Sequence, residues 1–494
     1  MATDAPVMVR NAQAVDSSAV PALSVDRFRQ VVTEEVAGGA RLSALLVPAP
    51  VRAPRRLLAV IARPLAGNLG LLACDVGDSY PSLTPSCPAA HWFEREIAEQ
   101  SGIRPEGHPW LKPIRFVAGG PADVGVMDFF RMEGEEIHEV AVGPVHAGVI
   151  EPGHFRFQCQ GETVHHLEIS LGYQHRGVER AMTGGATPRA RHYMETLAGD
   201  TTVGHMTAYC RAMEALSDAR PPARAEALRA IAAELERVAN HLGDLGAMAG
   251  DVGFLPTMSY CGRIRGDALN LTALLCGNRF GRGMVVLGGV GYDVDAALED
   301  EILVRLDAIE KDATGAIELM FDAPSVLSRF EGTGIVLEEL ARRIGMVGLA
   351  ARASGLPCDV RHEFPYGLYQ FTQMPVCTWQ SGDCFARAYV RWMEIRQSIA
   401  FIREHMRSLP GGPTRQEPRP SQGGRIVASL SEGWRGEICH VALTDADGRL
   451  AAYKVVDPSF HNWFGLACAL RDQQISDFPL CNKSFNLSYC GHDL

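Results

Sequence analysis

The sequence predicts an α+β protein: a small N-terminal α+β domain, then a larger and mainly helical bundle with small β-sheets on its flanks. Three observations lead there. Leu42 to Val47, Leu57 to Ala62 and Leu69 to Cys74 are short apolar runs of strand length, set apart by polar and turn-forming residues. Further on, Leu228, Ile231, Leu235, Val238, Leu242 and Leu245 recur at steps of three and four and form one helical stripe. Near the C-terminal end, Glu432-Gly433-Trp434-Arg435-Gly436-Glu437-Ile438 opens a strand pair.

Taken in order, residues 1–35 are small and polar and are expected to form a loosely held, flexible arm. The small domain spans residues 36–115 and holds the three strands and a helix, His91 to Gln100, whose Phe93 and Ile97 share a face. That helix runs into Ser101-Gly102-Ile103 and a turn at Gly107-His108-Pro109-Trp110, where His108 and Trp110 are expected to be structural. Residues 116–142 carry Gly119-Gly120-Pro121 and an acidic patch from Glu133 to Glu139, and form the connector. The larger domain spans residues 143–494.

Its opening alternates apolar and polar residues at His154, Phe155, Arg156 and Phe157, which suits half-buried strands. Pro221-Pro222 starts the helix bearing the long stripe, and Gly250 stops it. A second helix shows Ile302, Leu306, Ile309 and Ala313; a third shows Phe385, Tyr389, Trp392, Ile395, Ile399 and Ile402. Striped helices of this length bundle around a shared core. Residues 410–424 hold four Pro and four Gly and make a surface loop, while Asp445 to Gly448 is a turn. Alternating Phe485, Leu487 and Tyr489 predict a final strand or an extended docking arm.

Composition excludes several classes. At 494 residues and 47% hydrophobic content the chain buries large cores, yet no run of ~18 apolar residues could cross a membrane. A net charge of −11 argues against nucleic-acid binding, which needs clustered Lys and Arg. The N-terminus lacks the basic-then-apolar order of a signal peptide, so a cytoplasmic location is expected. None of the thirteen cysteines forms a C-x-x-C pair, so they read as free thiols and not as ligands of an iron–sulfur cluster.

Several motifs then fall in a recognisable order. Glu151-Pro152-Gly153-His154, Gly172-Tyr173-Gln174-His175-Arg176-Gly177-Val178-Glu179-Arg180 and Ala198-Gly199-Asp200-Thr201-Thr202-Val203-Gly204-His205 are followed by Glu234-Leu235-Glu236-Arg237, Asn278-Arg279-Phe280-Gly281-Arg282 and Pro365-Tyr366-Gly367. Gly382-Asp383 with Arg387 and Arg391, and Asp457-Pro458-Ser459-Phe460-His461-Asn462, complete the set. The chain from about residue 143 resembles the large subunit of energy-converting membrane-bound [NiFe] hydrogenases, and also the D subunit of respiratory complex I. Trp92-Phe93-Glu94-Arg95-Glu96-Ile97 with Gly107-His108-Pro109 resembles the C subunit of complex I. The fusion of the two is the pattern of formate-hydrogenlyase-type subunits.

The resemblance implies a specific loss. In the hydrogenases two C-x-x-C pairs hold nickel and iron, and those four positions fall here on Ala198, Thr201, Ser459 and Asn462. Alanine cannot bind a metal, and neutral Ser, Thr and Asn are poor ligands for a soft one. No metal is therefore expected, and an active [NiFe] hydrogenase is disfavoured. In complex I the vacated cavity takes a quinone headgroup, using a His of the first hairpin and a Tyr. His146 and His154 are candidates for the first, and the Tyr position falls on Gly199. The expected pocket is polar, lined by Gly199, Asp200, Thr201, His205, Asp457, Ser459 and Asn462. A catalytically silent scaffold is the alternative use of the same fold.

His175, Arg176 and Arg180 are expected to face an iron–sulfur small subunit, similar to the B subunit of complex I, whose [4Fe-4S] cluster lies nearby. A solvated helix face with i,i+4 pairs would explain the same charges. The resemblance further implies a ferredoxin-like subunit and membrane ion-pump subunits as partners, with attachment to the cytoplasmic face of the inner membrane through them. A coupling of electron transfer to ion translocation follows. No cofactor of the chain's own is implied beyond a quinone, and no nucleic acid.

Overall fold

A computed structural model describes residues 5–49, 54–117, 119–120, 122–146, 150–184 and 189–494; Pro121 of the Gly-Gly-Pro turn and residues 1–4 of the arm lie outside it. The chain is α+β. Strands β1 (Val7–Val9), β2 (Val15–Asp16) and β3 (Ala22–Leu23) precede helix α1 (Val25–Ala37), followed by β4 (Arg41–Leu46), β5 (Arg55–Arg63) and β6 (Asn68–Val76). One sheet runs β1-β6-β5-β4, with β3 parallel to β6. β4 to β6 are apolar on both faces because α1 covers one with Phe28, Val31 and Val32. Ser24 caps α1 by accepting from Arg27 N.

The flexible arm is therefore corrected. From Val7 on it is folded: β1 extends the first sheet, and β2 pairs with a strand more than 400 residues away. Asn11 donates to Phe364 O and Leu430 O and accepts from Leu430 N. Val9, Val20 and Leu23 are buried, but each completes a sheet edge singly, so no period marks them in the sequence.

β7 (Ser79–Pro81) and β8 (Arg104–Glu106) pair in parallel around α2 (His91–Ser101). Residues His91 to Ile97 of α2 are all buried, including Glu94, whose carboxylate accepts from Ser82 Oγ, Leu83 N and Thr84 N. His108 and Trp110 brace this helix, with His108 Nε2 3.2 Å from His91 O. The connector ends earlier than expected, because β9 (Ile137–Val142) is the edge of an antiparallel sheet with β10 (His154–Gln160) and β11 (Thr163–Ser170).

Two short helices follow, α3 (Val178–Met182) and α4 (Ala190–Glu195), then α5 (Thr202–Leu216), α6 (Ala223–Asp251) and α7 (Leu255–Cys276). The small hairpin β12 (Val285–Val286) with β13 (Gly289–Val290) leads into α8 (Ala296–Phe321). Four short helices, α9 (Pro324–Phe330), α10 (Glu338–Arg343), α11 (Gly348–Ala353) and α12 (Val360–Glu363), connect to α13 (Cys384–Arg407). α6 is central: all six residues of its stripe are fully buried, and it packs on α7 and α13.

β14 (Arg425–Glu432), β15 (Glu437–Thr444) and β16 (Leu450–Val456) form an antiparallel sheet, with β2 on its edge and α5 against its face. The chain continues through α14 (Pro458–Ala469), α15 (Phe478–Phe485) and α16 (Tyr489–Asp493). The predicted terminal strand is thus two helices. Asn486 takes a left-handed conformation, φ 44°, which ends α15, and Ser488 caps α16. Phe485 and Tyr489 belong to different helices, and the alternation of apolar residues arises from the turn between them.

Candidate functional site

The segments 198–205 and 457–462 converge, although more than 250 residues separate them. Thr201 precedes the first turn of α5, and Asp457 is the N-cap of α14, accepting from Ser459 N at 2.8 Å. His205 Nε2 stands 2.9 Å from Asp457 Oδ2, with both side chains fully buried. These are the two elements expected to form one site.

Where the segments meet, the polar side chains are tied into a hydrogen-bonded network, and on one side of it Asp200 and Asn486 line a cavity of about 360 Å³. Arg435, on the turn between β14 and β15, forms a bidentate pair with Asp200 at 2.6 and 2.8 Å and donates to Thr201 Oγ1 at 3.2 Å. Its Nε donates to Asn486 O, and its guanidinium lies 3.9 Å over the Trp434 ring. Thr201 Oγ1 donates to Asp200 at 3.1 Å. Ser459 Oγ accepts from Ser488 N at 2.8 Å, and the Asn462 amide exchanges two 3.0 Å bonds with Val347 N and O. Ala198 is buried. Arg435 was not singled out by sequence, although a cation beside Trp434 between Gly433 and Gly436 is the signal that pointed to it.

Electrostatics follow from this packing. Burial pushes the Asp200 carboxyl up, but Arg435 more than offsets this and holds it below the usual carboxylate value. Asp457 is likewise held low against its burial by its bond to His205 and the nearby Arg435. A nickel–iron centre does not fit here: the four ligand positions offer no thiolate, their polar atoms are spent on protein partners, and a guanidinium occupies the neighbourhood.

The first-hairpin histidines do not reach this network. His146 is exposed and bonds Gly143 O through Nδ1 at 2.8 Å. His154 starts β10 and packs on Phe129, ring centroids 5.1 Å apart, and burial lowers its pKa. Between that hairpin and Gly199 stands α16: Cys490 N donates to Glu151, and the Cys490 thiol sits at the Gly199 backbone. A Cβ on Gly153 would meet the Tyr489 ring at 2.4 Å. Gly199 itself is exposed.

The basic segment is more structural than its charges suggested. Arg176 donates to Thr196 O, Leu197 O and Cys490 O, and His175 Nδ1 is 2.7 Å from Asp493 O. Glu179 turns inward and accepts from Lys454 Nζ at 2.9 Å, so it makes no surface pair with its neighbours. Arg180 is exposed. Beside this segment lies a cavity of about 730 Å³, lined by apolar Leu46, Val47 and Ile97 and by charged Glu96, Glu179 and Lys454. Asp383 and Arg387 are interior but do not pair: Asp383 caps α13, and Arg387 bonds Gly334 O and Ser484 Oγ.

Fold and site together define a large-subunit architecture in which an α+β unit is fused to a helical bundle. Residues 251–429 match the model of the respiratory-chain NADH dehydrogenase 49 Kd subunit, and residues 70–122 that of the 30 Kd subunit. The chain is 31% identical over 350 residues to the carbon monoxide-induced hydrogenase of Rhodospirillum rubrum, covering 71% of this chain and 97% of that protein. It is 29% identical to formate hydrogenlyase subunit 5 of Escherichia coli, covering 83% and 76%. It is also 29% identical to NADH-quinone oxidoreductase subunit 4 of Thermus thermophilus, covering 69% and 90%. The chain belongs to the family of hydrogenase large subunits and complex I 49 Kd subunits. Among the described residues no helix is long and apolar enough to cross a membrane.

Proposed function

We propose that the chain is the large subunit of a membrane-associated oxidoreductase complex that couples electron transfer to ion translocation without a nickel–iron site of its own. Its partners in this reading are an iron–sulfur small subunit carrying a [4Fe-4S] cluster, a ferredoxin-like subunit and membrane ion-pump subunits. It sits on the cytoplasmic face of the membrane through them. The observation that carries the reading is the face formed by His175, Arg176 and Arg180 beside the 730 Å³ cavity. That cavity combines apolar and charged lining groups and has the size of a small-molecule site, which suits a quinone-like acceptor next to a docked cluster.

A second reading, a catalytically silent coupling scaffold, is favoured by one specific observation. The polar groups expected to line a ligand pocket at Thr201, Ser459 and Asn462 are all paired within the protein.

Co-expression with a cluster-bearing small subunit tests the proposal. Association should fall at least about tenfold in Arg180→Glu with Tm unchanged, since a rim charge steers binding without supporting the fold. Val47→Trp, which fills the cavity, should abolish quinone reduction by the assembled complex and leave association intact. Association that ignores Arg180→Glu would remove the docking face. Undiminished quinone reduction in Val47→Trp would remove the acceptor site and leave the scaffold reading. One nickel and one iron per chain by elemental analysis would overturn both.

A further inference from the structure

Arg387, on α13, is a fully buried cation whose oxygen partners are neutral. Its Nε donates to Ser484 Oγ at 2.8 Å, Nη1 to Gly382 O at 2.7 Å and Nη2 to Gly334 O at 3.0 Å, and the Phe485 ring lies 4.3 Å from the guanidinium. Among the described residues no carboxylate is bonded to it, whereas Arg391, one turn on, has Asp244, and Arg435 has Asp200. A buried charge is stable only when it is paired. The acidic group that Arg387 does touch is the Cys384 thiol, 3.5 Å from Nη2.

The surroundings of Cys384 suit a thiolate. It is the first residue of α13, a helix of 24 residues, and so stands at the positive end of the helix. Cys481, on α15, faces it with the two sulfurs 4.0 Å apart. Burial pushes the Cys384 thiol up, but the hydrogen bond from Cys481 and the charge of Arg387 more than offset this and hold it below the usual thiol value. Cys481 is driven the opposite way, well above that value, by its bond to Cys384 and by burial. The other charged groups near the pair are Asp477, ahead of α15, and Asp383, whose carboxylate accepts from Gly332 N, Ser381 Oγ and Ala386 N. Gly334 crosses the Cys481 sulfur so closely that a Cβ there would collide with it, and the next residue, Ile335, is 43% exposed. The thiols are buried, yet the backbone over them borders solvent.

We propose that Cys384 and Cys481 form a redox-active dithiol, with Cys384 as the thiolate partner of Arg387 and Cys481 as the resolving thiol, which hydrogen peroxide oxidises to a disulfide. The Cys384 sulfur attacks one peroxide oxygen, and the O–O bond breaks to leave Cys384 sulfenic acid and hydroxide. The hydroxide takes the Cys481 proton and becomes water. The Cys481 sulfur then attacks the sulfenic sulfur. The S–S bond forms, the S–O bond breaks, and the departing hydroxide takes from solvent the proton that Cys384 gave up on ionising. Two thiols lose two electrons, the peroxide gains them, and two waters leave. The disulfide deprives Arg387 of its counter-charge, which favours the reduced form, so a dithiol reverses the bond readily. Oxidation ties α13 to α15, and reduction releases them.

The test treats the full, reduced chain with one equivalent of hydrogen peroxide under native conditions and maps its peptides by mass spectrometry. The bond between Cys384 and Cys481 should be the first disulfide to appear, and dithiothreitol should remove it. Cys377 is the internal reference: it is the most exposed cysteine, but burial raises its thiol to about 12. It should be oxidised about tenfold more slowly than Cys384, because the thiolate is the reactive form. In Cys481→Ser the sulfenic acid has no resolving partner, and dimedone should label Cys384 instead. Oxidation of Cys377 ahead of Cys384 would overturn the proposal, as would a Cys384 that stays reduced while other cysteines react. Both are read on the wild-type chain and need no variant to fold. A folded Cys481→Ser protein that takes no dimedone at Cys384 would overturn it as well.

Discussion

At the scale of the residue, the decisive side chain is Arg435. A buried guanidinium must be paired, and Asp200, Thr201 and the Asn486 carbonyl supply three acceptors on one side. Truncation to Met keeps the volume and strands those acceptors. Asp200 is 32% exposed, so water relieves part of the loss. Arg435→Met should therefore cost about 3 kcal/mol, at the lower end for a broken buried pair. Thr201→Val, which removes one hydroxyl among several partners, should cost about 1 kcal/mol. Scanning calorimetry of the two variants checks the order; equal losses would mean that the ion pair does not hold the two segments together. The sequence put Ala198, Thr201, Ser459 and Asn462 where the resemblance expects four thiolates. It did not show what stands beside them, because a guanidinium more than 200 residues from Asp200 carries no local mark of its partner.

At the scale of the element, the turn between β14 and β15 is set by a close crossing of two backbones. Gly348, at the start of α11, has φ 63°, and a Cβ there would lie 2.1 Å from Arg435 O and 2.2 Å from Gly436 Cα. Gly436 faces it with φ 139°. Gly433 and Gly436 close the turn with reciprocal bonds of 2.9 and 3.0 Å. Gly348→Ala must either push this turn away or move α11, so it should cost roughly 3 kcal/mol and disturb Trp434 and Arg435. Quenching of Trp434 fluorescence by acrylamide should rise with it. A variant with unchanged Tm and quenching would show that the turn has slack. Helix existence was legible here, as the α6 stripe shows, because the 3.6-residue period reports one buried face. The turn's contact partner was not, since glycine marks freedom of the backbone and not what approaches it.

At the scale of the whole molecule, buried neutral histidines couple stability to pH. His241 and His461 are held at about 4, each chiefly by burial. His91, His440 and His492 are lowered for the same first cause. Released from the fold, each returns to the ordinary value near 6.5. The unfolded chain then binds more protons than the native one as pH falls below 6.5, so stability decreases on acidification. It is fully present above that value and declines through about 4, before most carboxylates titrate. Glu236 and Glu432, raised by burial to about 8 and about 7, hold protons in the native state and work the other way, so Tm should rise slightly from pH 8 to 7 and, with five lowered histidines outweighing two raised carboxyls, fall below 6.5. His461→Gln should reduce the slope, as its Nε2 has no partner to lose. A Tm independent of pH between 6.5 and 4.5 would contradict the assignment.

By itself the sequence determined the α+β class, the positions of the main strands and long helices, and the family. Each of these is written in local period, composition or motif. Tertiary structure alone decided three things. The N-terminal residues joined two sheets instead of forming an arm, because single buried side chains at sheet edges leave no period. The tail became α15 and α16 and came to stand between the first hairpin and Gly199, because one left-handed residue, Asn486, set its course. And Asp200 and Thr201 met Arg435 while His205 met Asp457, because hydrogen-bond partners are chosen by proximity in space. Sequence reports which faces are buried; only the fold reports which buried groups meet.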